Sequence, residues 1–392
     1  ATLIRASRFL FDPVVVNPHN MPMTGPCFIF GNHANNFDPF VLNVPLTQEP
    51  TAGVMTRDQF YKFLPALFMD SIGIVPTSKY VPDPGVIRNV IRMIQQDRMI
   101  VIFPEGGRRW DGRPKGTIES TMKLFWKMKI PVHPVQFHGS YVGWPRWATF
   151  PRRNRFKMVF MDPLVPGAFA DYQSFHDACV RAIDFHEEEP APETIPFWTH
   201  RPADGIDKIL YRCPKTGVDG AVWTPDGRRV LSKTDPDFQY EMNNASQLVD
   251  ASGGAHNVSR FYDAVRELPM ATDANGLLLD EPKAHISWID AKFRLHPLSA
   301  GRMWLHPDHV GLQHAQGVRR IPVEQVQYIS IEQNTRVTMT MRDGTWMVSL
   351  GRTRALQWQD MLQRLKQGEI PEPSPVPFTT PVEPEAVESG EA

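Results

Sequence analysis

Short apolar runs alternate with amphipathic stretches over the first 165 or so residues of the chain. Residues 84–96 and 116–128 repeat their apolar positions at the spacing of one helix face. Strand-length apolar runs separated by such helical patterns are typical of an α/β sheet domain. The runs that predict strands are CFIF (27–30), AGVMT (52–56), GIVP (73–76), MIVIF (99–103), IPVHPVQF (130–137) and FKMVFM (156–161).

From about residue 284 the pattern changes to apolar and polar positions that alternate along successive strands. Asp343 and Gly344 stand between two alternating runs, which is a strong hairpin signal. The stretch RALQWQDMLQRLKQ follows and predicts a terminal amphipathic helix. A strand meander closed by one helix resembles the pleckstrin-homology (PH) or GRAM-like architecture, without any functional motif.

Turn-forming and acidic stretches set the predicted domain limits. A helical pattern over residues 171–189 runs into an acidic cluster, and several prolines follow it. We predict an α/β domain over 1–200, a turn-rich intermediate region of no assigned role over 201–283, a β meander with its helix over 284–367, and a flexible Pro- and Glu-rich tail over 368–392.

Charge is unevenly distributed along a chain of ordinary globular composition. The 392 residues are 42% hydrophobic and 22% charged, with a net charge of -1. Residues 1–170 nevertheless contain 20 Lys and Arg against 11 Asp and Glu, an excess of nine positive charges. Such an excess favours an anionic partner, for example a phosphate ester, a nucleotide or an anionic lipid.

Cysteine usage and hydropathy favour a cytoplasmic setting. Cys27, Cys179 and Cys213 are odd in number and far apart, so neither a disulfide framework nor a close-spaced zinc site is expected. No stretch reaches the roughly 18 consecutive apolar residues of a membrane-spanning helix. The start, ATLIRASRFLFDP, is too short and too charged for a secretory signal. Any membrane contact is therefore expected to be peripheral.

The segment IFGNHANNFDPF (29–40) places His33 after an apolar run and Asp38 just before a proline. One interpretation is a helix start, in which Asp38 is the N-cap and Pro39 occupies the first turn. The other is a catalytic pair, in which the carboxylate orients an imidazole that takes a proton from a hydroxyl group. The segment alone leaves both open.

Four segments together resemble, in order and approximate spacing, the sequence blocks of glycerolipid acyltransferases related to 1-acylglycerol-3-phosphate acyltransferase. They are GNHANNFD (31–38), MTRDQFYKFLPALFMDSIGIVPTSK (55–79), VIFPEGGRR (101–109) and IPVHPVQFHG (130–139). The resemblance covers roughly residues 10–170. It implies an acyltransferase-type mixed sheet with flanking helices, ahead of the smaller mainly-β domain.

The same resemblance implies the chemistry. His33 would be the general base on an acceptor hydroxyl, Asp38 its orienting partner, and Glu105, Gly106 and Arg108 the lining of the acceptor site. The implied reaction moves an acyl chain from acyl-CoA or acyl-carrier protein to a hydroxyl of a lysophospholipid such as 1-acylglycerol-3-phosphate. No bound cofactor or metal is expected. A plain alternative for FPEGGRR is a strand-to-loop turn with solvated arginines.

Departures from the family pattern concern the acceptor. Asn35 stands where the family prefers Ser, Gly107 where it prefers Thr, and Lys79 occupies the slot of an Arg. A lysine holds phosphate as a point charge without bidentate geometry, so lysophosphatidic acid is not fixed as the acceptor. Arg57 matches a cation that often opens the second block, and it would serve the phosphate site or lie on a helix surface.

The stretch YVGWPRWATFPRRNRF (141–156) interleaves aromatic residues with arginines. This composition predicts membrane contact through Trp144, Trp147, Arg152 and Arg153, with the protein on the inner face of the membrane. Packing between domains and nucleic-acid binding are the alternatives. We expect no nucleic-acid partner.

Two histidine pairs invite a metal interpretation that the pattern does not favour. His133 and His138 are five apart on a predicted strand, so they point to opposite faces. His306 and His309, in the sequence HPDH, are expected to form a turn between strands, with no third ligand close by.

Two rival functions remain at this stage. One is a non-enzymatic lipid-binding or scaffold protein, which the departures at Asn35, Lys79 and Gly107 favour and the presence of His33, Asp38 and Glu105 opposes. The other is an acyltransferase whose acceptor is not a glycerophospholipid.

Overall fold

The computed structural model describes residues 2–46, 50–56, 73–77, 84–332, 334–351 and 354–373. The chain divides into two compact units. The first contains the chain up to Ile206 together with Thr224–Val230 and Gln239–Phe261, and the second contains Asp207–Trp223, Leu231–Phe238 and the chain from Tyr262 onward. The domain limits predicted at residues 200, 283 and 367 stay predictions.

The first unit is built on a seven-stranded mixed sheet. Its strands are β1 (Val14–Val16), β2 (Cys27–Gly31), β3 (Ala52–Thr56), β4 (Ile74–Thr77), β5 (Met99–Val101), β6 (Val132–His138) and β7 (Lys157–Phe160). They follow the order β1-β7-β6-β2-β5-β3-β4. Neighbours run parallel except β6 and β7, which are antiparallel. The predicted α/β sheet, with a strand at each of the six apolar runs, is confirmed.

Helices flank this sheet. They are α1 (Thr2–Phe11), α2 (Asp38–Leu42), α3 (Pro84–Gln95), α4 (Glu119–Met128), α5 (Ser140–Gly143) and α6 (Tyr172–Ile183). Three of them, α3, α4 and α6, lie within the helical patterns at residues 84–96, 116–128 and 171–189 of the sequence. Within the described residues, no helix is both long enough and apolar enough to cross a bilayer.

The core lies on both faces of the sheet. The central strand β2 is buried along its whole length, so neither of its faces meets solvent. Successive side chains of a strand point to opposite faces. Phe28 and Phe30 accordingly pack in one apolar cluster with Phe125 and Phe175, whereas Ile29 belongs to the other cluster. A continuous apolar run such as CFIF is what a central strand with two covered faces requires.

Short strands and one helix follow in the middle of the chain. They are β8 (Val222–Trp223), β9 (Arg229–Ser232), β10 (Gln239–Met242), β11 (Gln247–Val249), β12 (Ala255–Asn257) and α7 (Val258–Glu267). β10, β11 and β12 form an antiparallel meander, and β8 pairs antiparallel with β9.

The second unit contains a seven-stranded antiparallel sheet of order β17-β16-β15-β14-β20-β19-β18. Its strands are β14 (Leu279–Asp290), β15 (Leu295–Leu305), β16 (His309–His314), β17 (Gly317–Pro322), β18 (Tyr328–Glu332), β19 (Arg336–Thr340) and β20 (Gly344–Leu350). Two short strands, β13 (Ala271–Thr272) and β21 (Glu372–Pro373), pair in parallel. The helix α8 (Ala355–Lys366) packs against β18 and β19.

The predicted hairpin turn at Asp343 and Gly344 joins β19 to β20. Gly344 has φ +155, and a Cβ at this position would lie 2.4 Å from the carbonyl oxygen of Ile289 on β14. Only glycine therefore fits this turn. The mainly-β region and its closing helix are present, whereas the PH or GRAM-like identity stays a prediction. Of the tail predicted over 368–392, residues 368–373 are described and include β21, whereas residues 374–392 lie outside the described residues.

Candidate functional site

His33 and Asp38 come together where the central strand β2 ends. His33 Nδ1 lies 2.8 Å from Asp38 Oδ2; the imidazole is 19% exposed and the carboxylate is fully buried. A carboxylate accepts hydrogen bonds, so Nδ1 of the neutral ring carries the proton. The second ring nitrogen, Nε2, is then the one that can take a proton from another molecule.

The Asp38 carboxylate is held by three further donors. Its Oδ2 accepts from the backbone N–H groups of Ala34 and Asn35 at 3.0 Å each, and its Oδ1 accepts from Ser140 Oγ at 2.6 Å. Asp38 is the first residue of α2, and the N-cap is Phe37, without a side-chain cap. The N-cap interpretation of Asp38 is wrong, because its side chain bonds the loop before the helix and not the helix N-terminus.

Asn35 is an internal brace of the same loop. Its Oδ1 accepts from Phe37 N at 2.9 Å, and its Nδ2 donates to the carbonyl oxygen of Ser140 at 3.3 Å. The side chain is buried. This departure from the family pattern therefore supports the geometry around Asp38 and leaves the His33–Asp38 contact intact.

The segment FPEGGRR also holds His33. The imidazole stacks on the ring of Phe103, with centroids 4.3 Å apart and planes inclined by 20°. The backbone N–H of Arg109 donates to the carbonyl oxygen of His33 at 2.8 Å. Two separate contacts thus fix this segment against the histidine.

Glu105 does not face solvent, contrary to the predicted role in lining the acceptor site. It is 2% exposed, and both carboxylate oxygens accept from Arg109 Nε, at 2.9 and 3.1 Å. Arg109 is itself fully buried and also donates to the carbonyl oxygens of Phe185 and Ile183, at 2.7 and 3.2 Å. This buried ion pair orders the loop from within.

Gly106 and Arg108 are the predicted acceptor-site residues that solvent reaches, since both are partly exposed. Gly106 has φ +66, a left-handed conformation that side chains other than glycine rarely adopt. The carbonyl oxygen of Arg108 accepts from Arg146 Nη1 at 3.1 Å. Arg57 and Lys79, the other predicted phosphate-site cations, lie outside the described residues.

Glu187 is a buried carboxyl group that the sequence interpretation missed. It accepts from Asn32 Nδ2 at 2.7 Å and from Tyr141 N at 2.9 Å, and its Oε1 lies 4.0 Å from Arg109 Nη1. Burial raises the pKa of Glu187 to about 8, although Arg109 acts in the opposite direction. In the sequence, Glu187 is one of three consecutive glutamates after α6, and no local pattern distinguishes it from the other two.

Asn32 connects this carboxyl group to the sheet. Its Oδ1 accepts from Phe137 N at 2.7 Å, and its Nδ2 donates to Phe137 O at 3.2 Å as well as to Glu187. Asn32 immediately precedes His33 and is fully buried. The backbone that carries the histidine is therefore anchored to both β6 and the segment after α6.

The predicted membrane contact is wrong for Trp147 and Arg152, because both side chains are buried, at 0% and 1% exposure. Arg152 donates to the carbonyl oxygen of Pro202 at 2.6 Å and to Ser246 Oγ, and burial lowers its pKa to about 10. Trp144 is half-buried, and Arg153 is exposed. Trp147 and Arg152 therefore pack inside the first unit.

The histidine pairs differ from each other. His133 Nδ1 lies 3.0 Å from the carbonyl oxygen of Asn20, and His138 Nε2 lies 3.0 Å from Gln136 Oε1, so the two make separate contacts, as expected. Burial lowers the pKa of both.

His306 and His309 do flank the turn between β15 and β16, but the expectation that no third ligand stands close by is wrong. Both Nδ1 atoms contact Asp308 Oδ1, and these three side chains form a group that could hold a metal ion. Hydrogen bonds from the two imidazoles lower the pKa of Asp308.

Comparison with known proteins agrees with part of this description. Residues 12–138 match the family described as Acyltransferase. No curated protein matches the chain. The structure is similar to the 1-acyl-sn-glycerophosphate (LPA) acyltransferase PlsC from Thermotoga maritima, at 17% identity over 46% of this chain and 75% of that chain, with a TM-score of 0.40. The family match supports an acyltransferase domain, whereas the structural similarity is too low to add to it.

His33, Asp38 and Glu105 lie within the matched residues 12–138, and Ser140 and Glu187 lie beyond them. The site is thus completed by side chains from outside the matched region.

Proposed function

We propose that the chain is an O-acyltransferase that moves an acyl chain from a thioester donor to a hydroxyl of a lysophospholipid. The observation that carries the proposal is the contact of His33 Nδ1 with Asp38, 2.8 Å long, inside the region that matches the acyltransferase family. This contact leaves Nε2 as the basic nitrogen of a partly exposed imidazole.

In the proposed reaction, Nε2 of His33 takes the proton of the acceptor hydroxyl as its oxygen attacks the thioester carbonyl carbon. The resulting tetrahedral intermediate collapses, the carbon–sulfur bond breaks, and the leaving thiolate takes the proton back from the imidazolium. Asp38 stabilises the positive charge of the imidazolium while it exists. General base catalysis of this kind accelerates a reaction by roughly 10²–10⁴-fold.

The acceptor is proposed to be a phosphate-bearing lysolipid such as 1-acylglycerol-3-phosphate. Gly106 offers close backbone approach, and Arg108 offers a guanidinium group suited to a phosphate. The excess of nine positive charges over residues 1–170 favours an anionic acceptor in the same way. The donor would be acyl-CoA or acyl-carrier protein. We further propose that the protein works peripherally on the inner face of the membrane.

The test supplies the purified full chain with acyl-CoA and lysophosphatidic acid and measures the diacylated product. His33→Ala is expected to lower the rate by roughly 10²–10⁴-fold. The matched control is His19→Ala, which removes an exposed histidine of the same unit and is expected to leave the rate unchanged. Equal rates for the wild type and His33→Ala would contradict the assigned base.

A panel of acceptors separates the rival functions. Transfer to an amino-acid lipid or a glycolipid, but not to lysophosphatidic acid, would favour the acyltransferase with a different acceptor. Vesicle binding without transfer from either donor to any acceptor would favour the non-enzymatic lipid-binding protein.

A further inference from the structure

We propose that an exposed aromatic and basic surface of the first unit docks on an anionic lipid bilayer. This surface, here named the docking face, consists of Phe9, Phe150, Arg153, Phe197 and Trp198. Its members come from three separate stretches of the chain. The proposal rests on the peripheral membrane association proposed above and names the surface that would make it; it does not depend on which reaction the protein catalyses.

The docking face exposes large apolar side chains that a soluble monomer ordinarily buries. Phe9 is 66% exposed, Trp198 60%, Phe197 54% and Phe150 42%. Single exposed apolar residues are common, but a cluster of aromatic residues marks an interaction site. The four exposed aromatic side chains together therefore indicate an interaction site.

Direct contacts join these residues into one surface. Arg153 Cζ lies 4.8 Å from the centre of the Phe9 ring. The backbone carbonyl oxygen of Arg153 accepts a hydrogen bond from Phe197 N at 2.9 Å. Trp198 stacks on His200 with ring centroids 5.7 Å apart, and Phe150 meets the same histidine at 5.9 Å. The contacts form an unbroken series from α1 to Phe150.

Several arginines lie around the docking face. Arg155 Cζ lies 5.6 Å from the centre of the Phe197 ring, and its guanidinium pairs with Asp12 at 2.9 Å. On α1, Arg5 and Arg8 are exposed, and Arg5 lies one turn before Phe9 on the same side of the helix. Arg153 adds a further exposed guanidinium.

The combination fits a bilayer better than it fits other anionic partners. Tryptophan and phenylalanine insert at the level of the lipid headgroups, while arginines extend their charge to lipid phosphates. A helix such as α1, with arginines beside an exposed phenylalanine, has the composition of an interfacial helix. The anionic lipid headgroups attract the arginines, and the aromatic rings insert beside the lipid acyl chains.

The segments that carry the docking face also support the candidate site. Phe11 of α1 packs on Phe37, with ring centroids 5.3 Å apart, next to Asp38. Asn154 Nδ2 donates to the carbonyl oxygen of Gly139 at 2.8 Å, one residue before Ser140. A bilayer bound at the docking face would therefore contact elements that brace the His33–Asp38 pair.

The test is sedimentation of the full chain with vesicles, without acyl donor or acceptor. Vesicles of phosphatidylcholine mixed with phosphatidylglycerol are compared with vesicles of phosphatidylcholine alone. We expect binding to the mixed vesicles that falls as salt is raised, because salt screens the arginines. The double variant Phe9→Ala with Trp198→Ala is expected to bind about tenfold more weakly or worse, since two apolar rings no longer insert.

Charge is tested separately with Arg153→Gln, which is expected to weaken binding to the mixed vesicles about fivefold. The matched control is Trp223→Ala, which removes a 40% exposed tryptophan of the second unit and should bind as the wild type does. Wild-type affinity in the double variant, equal binding to both vesicle types, or no binding of the wild type would each overturn the proposal.

Discussion

Glu187 accepts a hydrogen bond of 2.7 Å from Asn32 Nδ2, across 155 residues of sequence. Asn32 immediately precedes His33 in the chain. Glu187 also accepts a hydrogen bond from the backbone N–H of Tyr141. Glu187 lies beyond the family-matched residues 12–138, and its carboxyl group holds the residue next to the candidate base His33.

We predict that Glu187 makes folding stability fall as the pH rises. Burial raises the pKa of Glu187 from 4.5 to about 8, so the folded state binds this proton more tightly than the unfolded state does. The contribution is most favourable below the unfolded value of 4.5 and is lost as the pH rises toward 8. Melting temperatures of Glu187→Gln should depend less on pH across this window.

The matched control is Glu189→Gln, because Glu189 is an exposed member of the same acidic cluster. It should retain the pH dependence of the wild type. Parallel melting curves for the wild type and Glu187→Gln at every pH would show that the buried carboxyl group does not titrate in this range.

Ser140→Ala should lower kcat by roughly tenfold while KM changes little. The substitution removes the 2.6 Å hydrogen bond to Asp38 Oδ1 and leaves the contact between Asp38 and His33 in place. Asp38→Asn should cost roughly 10²–10⁴-fold, because the amide no longer orients and stabilises the imidazolium. Steady-state kinetics of the two variants would show this ranking, and a larger loss for Ser140→Ala would contradict it.

Glu105→Ala is predicted to act mainly on stability. It leaves the fully buried guanidinium of Arg109 without its carboxylate, which costs roughly 3–5 kcal/mol. Chemical denaturation of the variant measures this loss directly.

Arg108→Gln is the contrasting variant, since Arg108 is partly exposed. Its stability should stay near that of the wild type, while KM for a phosphate-bearing acceptor rises roughly tenfold. A Glu105→Ala protein of wild-type stability with a raised KM would return Glu105 to the predicted acceptor-site role.

In the second unit, Tyr262→Phe is expected to lower the free energy of unfolding by roughly 1–3 kcal/mol. The hydroxyl groups of Tyr262 and Tyr211 both donate to Asp360 Oδ2, each at 2.9 Å, and burial raises the pKa of Asp360 to about 6. Denaturant titration monitored on this unit tests the loss. Tyr328→Phe, at a 42% exposed position, is the control and should change stability little.

The fold of the first unit was largely readable from local pattern. CFIF predicted a strand, and the structure makes it the central one, where a strand covered on both faces is apolar at consecutive positions. Helical periodicity located α3, α4 and α6 of this unit, and in the second unit the Asp343–Gly344 pair located the β19–β20 hairpin. Such signals are local, since they arise from the geometry of consecutive residues.

The sequence by itself determined the candidate pair, since His33 and Asp38 are close along the chain and their spacing is visible in one short segment. Only the tertiary structure decided the rest of the site. Ser140, Arg109 and Glu187 reach it from separate segments, and Trp147 and Arg152 are buried although their composition indicates a surface. Burial and hydrogen bonding between distant segments depend on how strands and helices pack, and no local pattern encodes that packing.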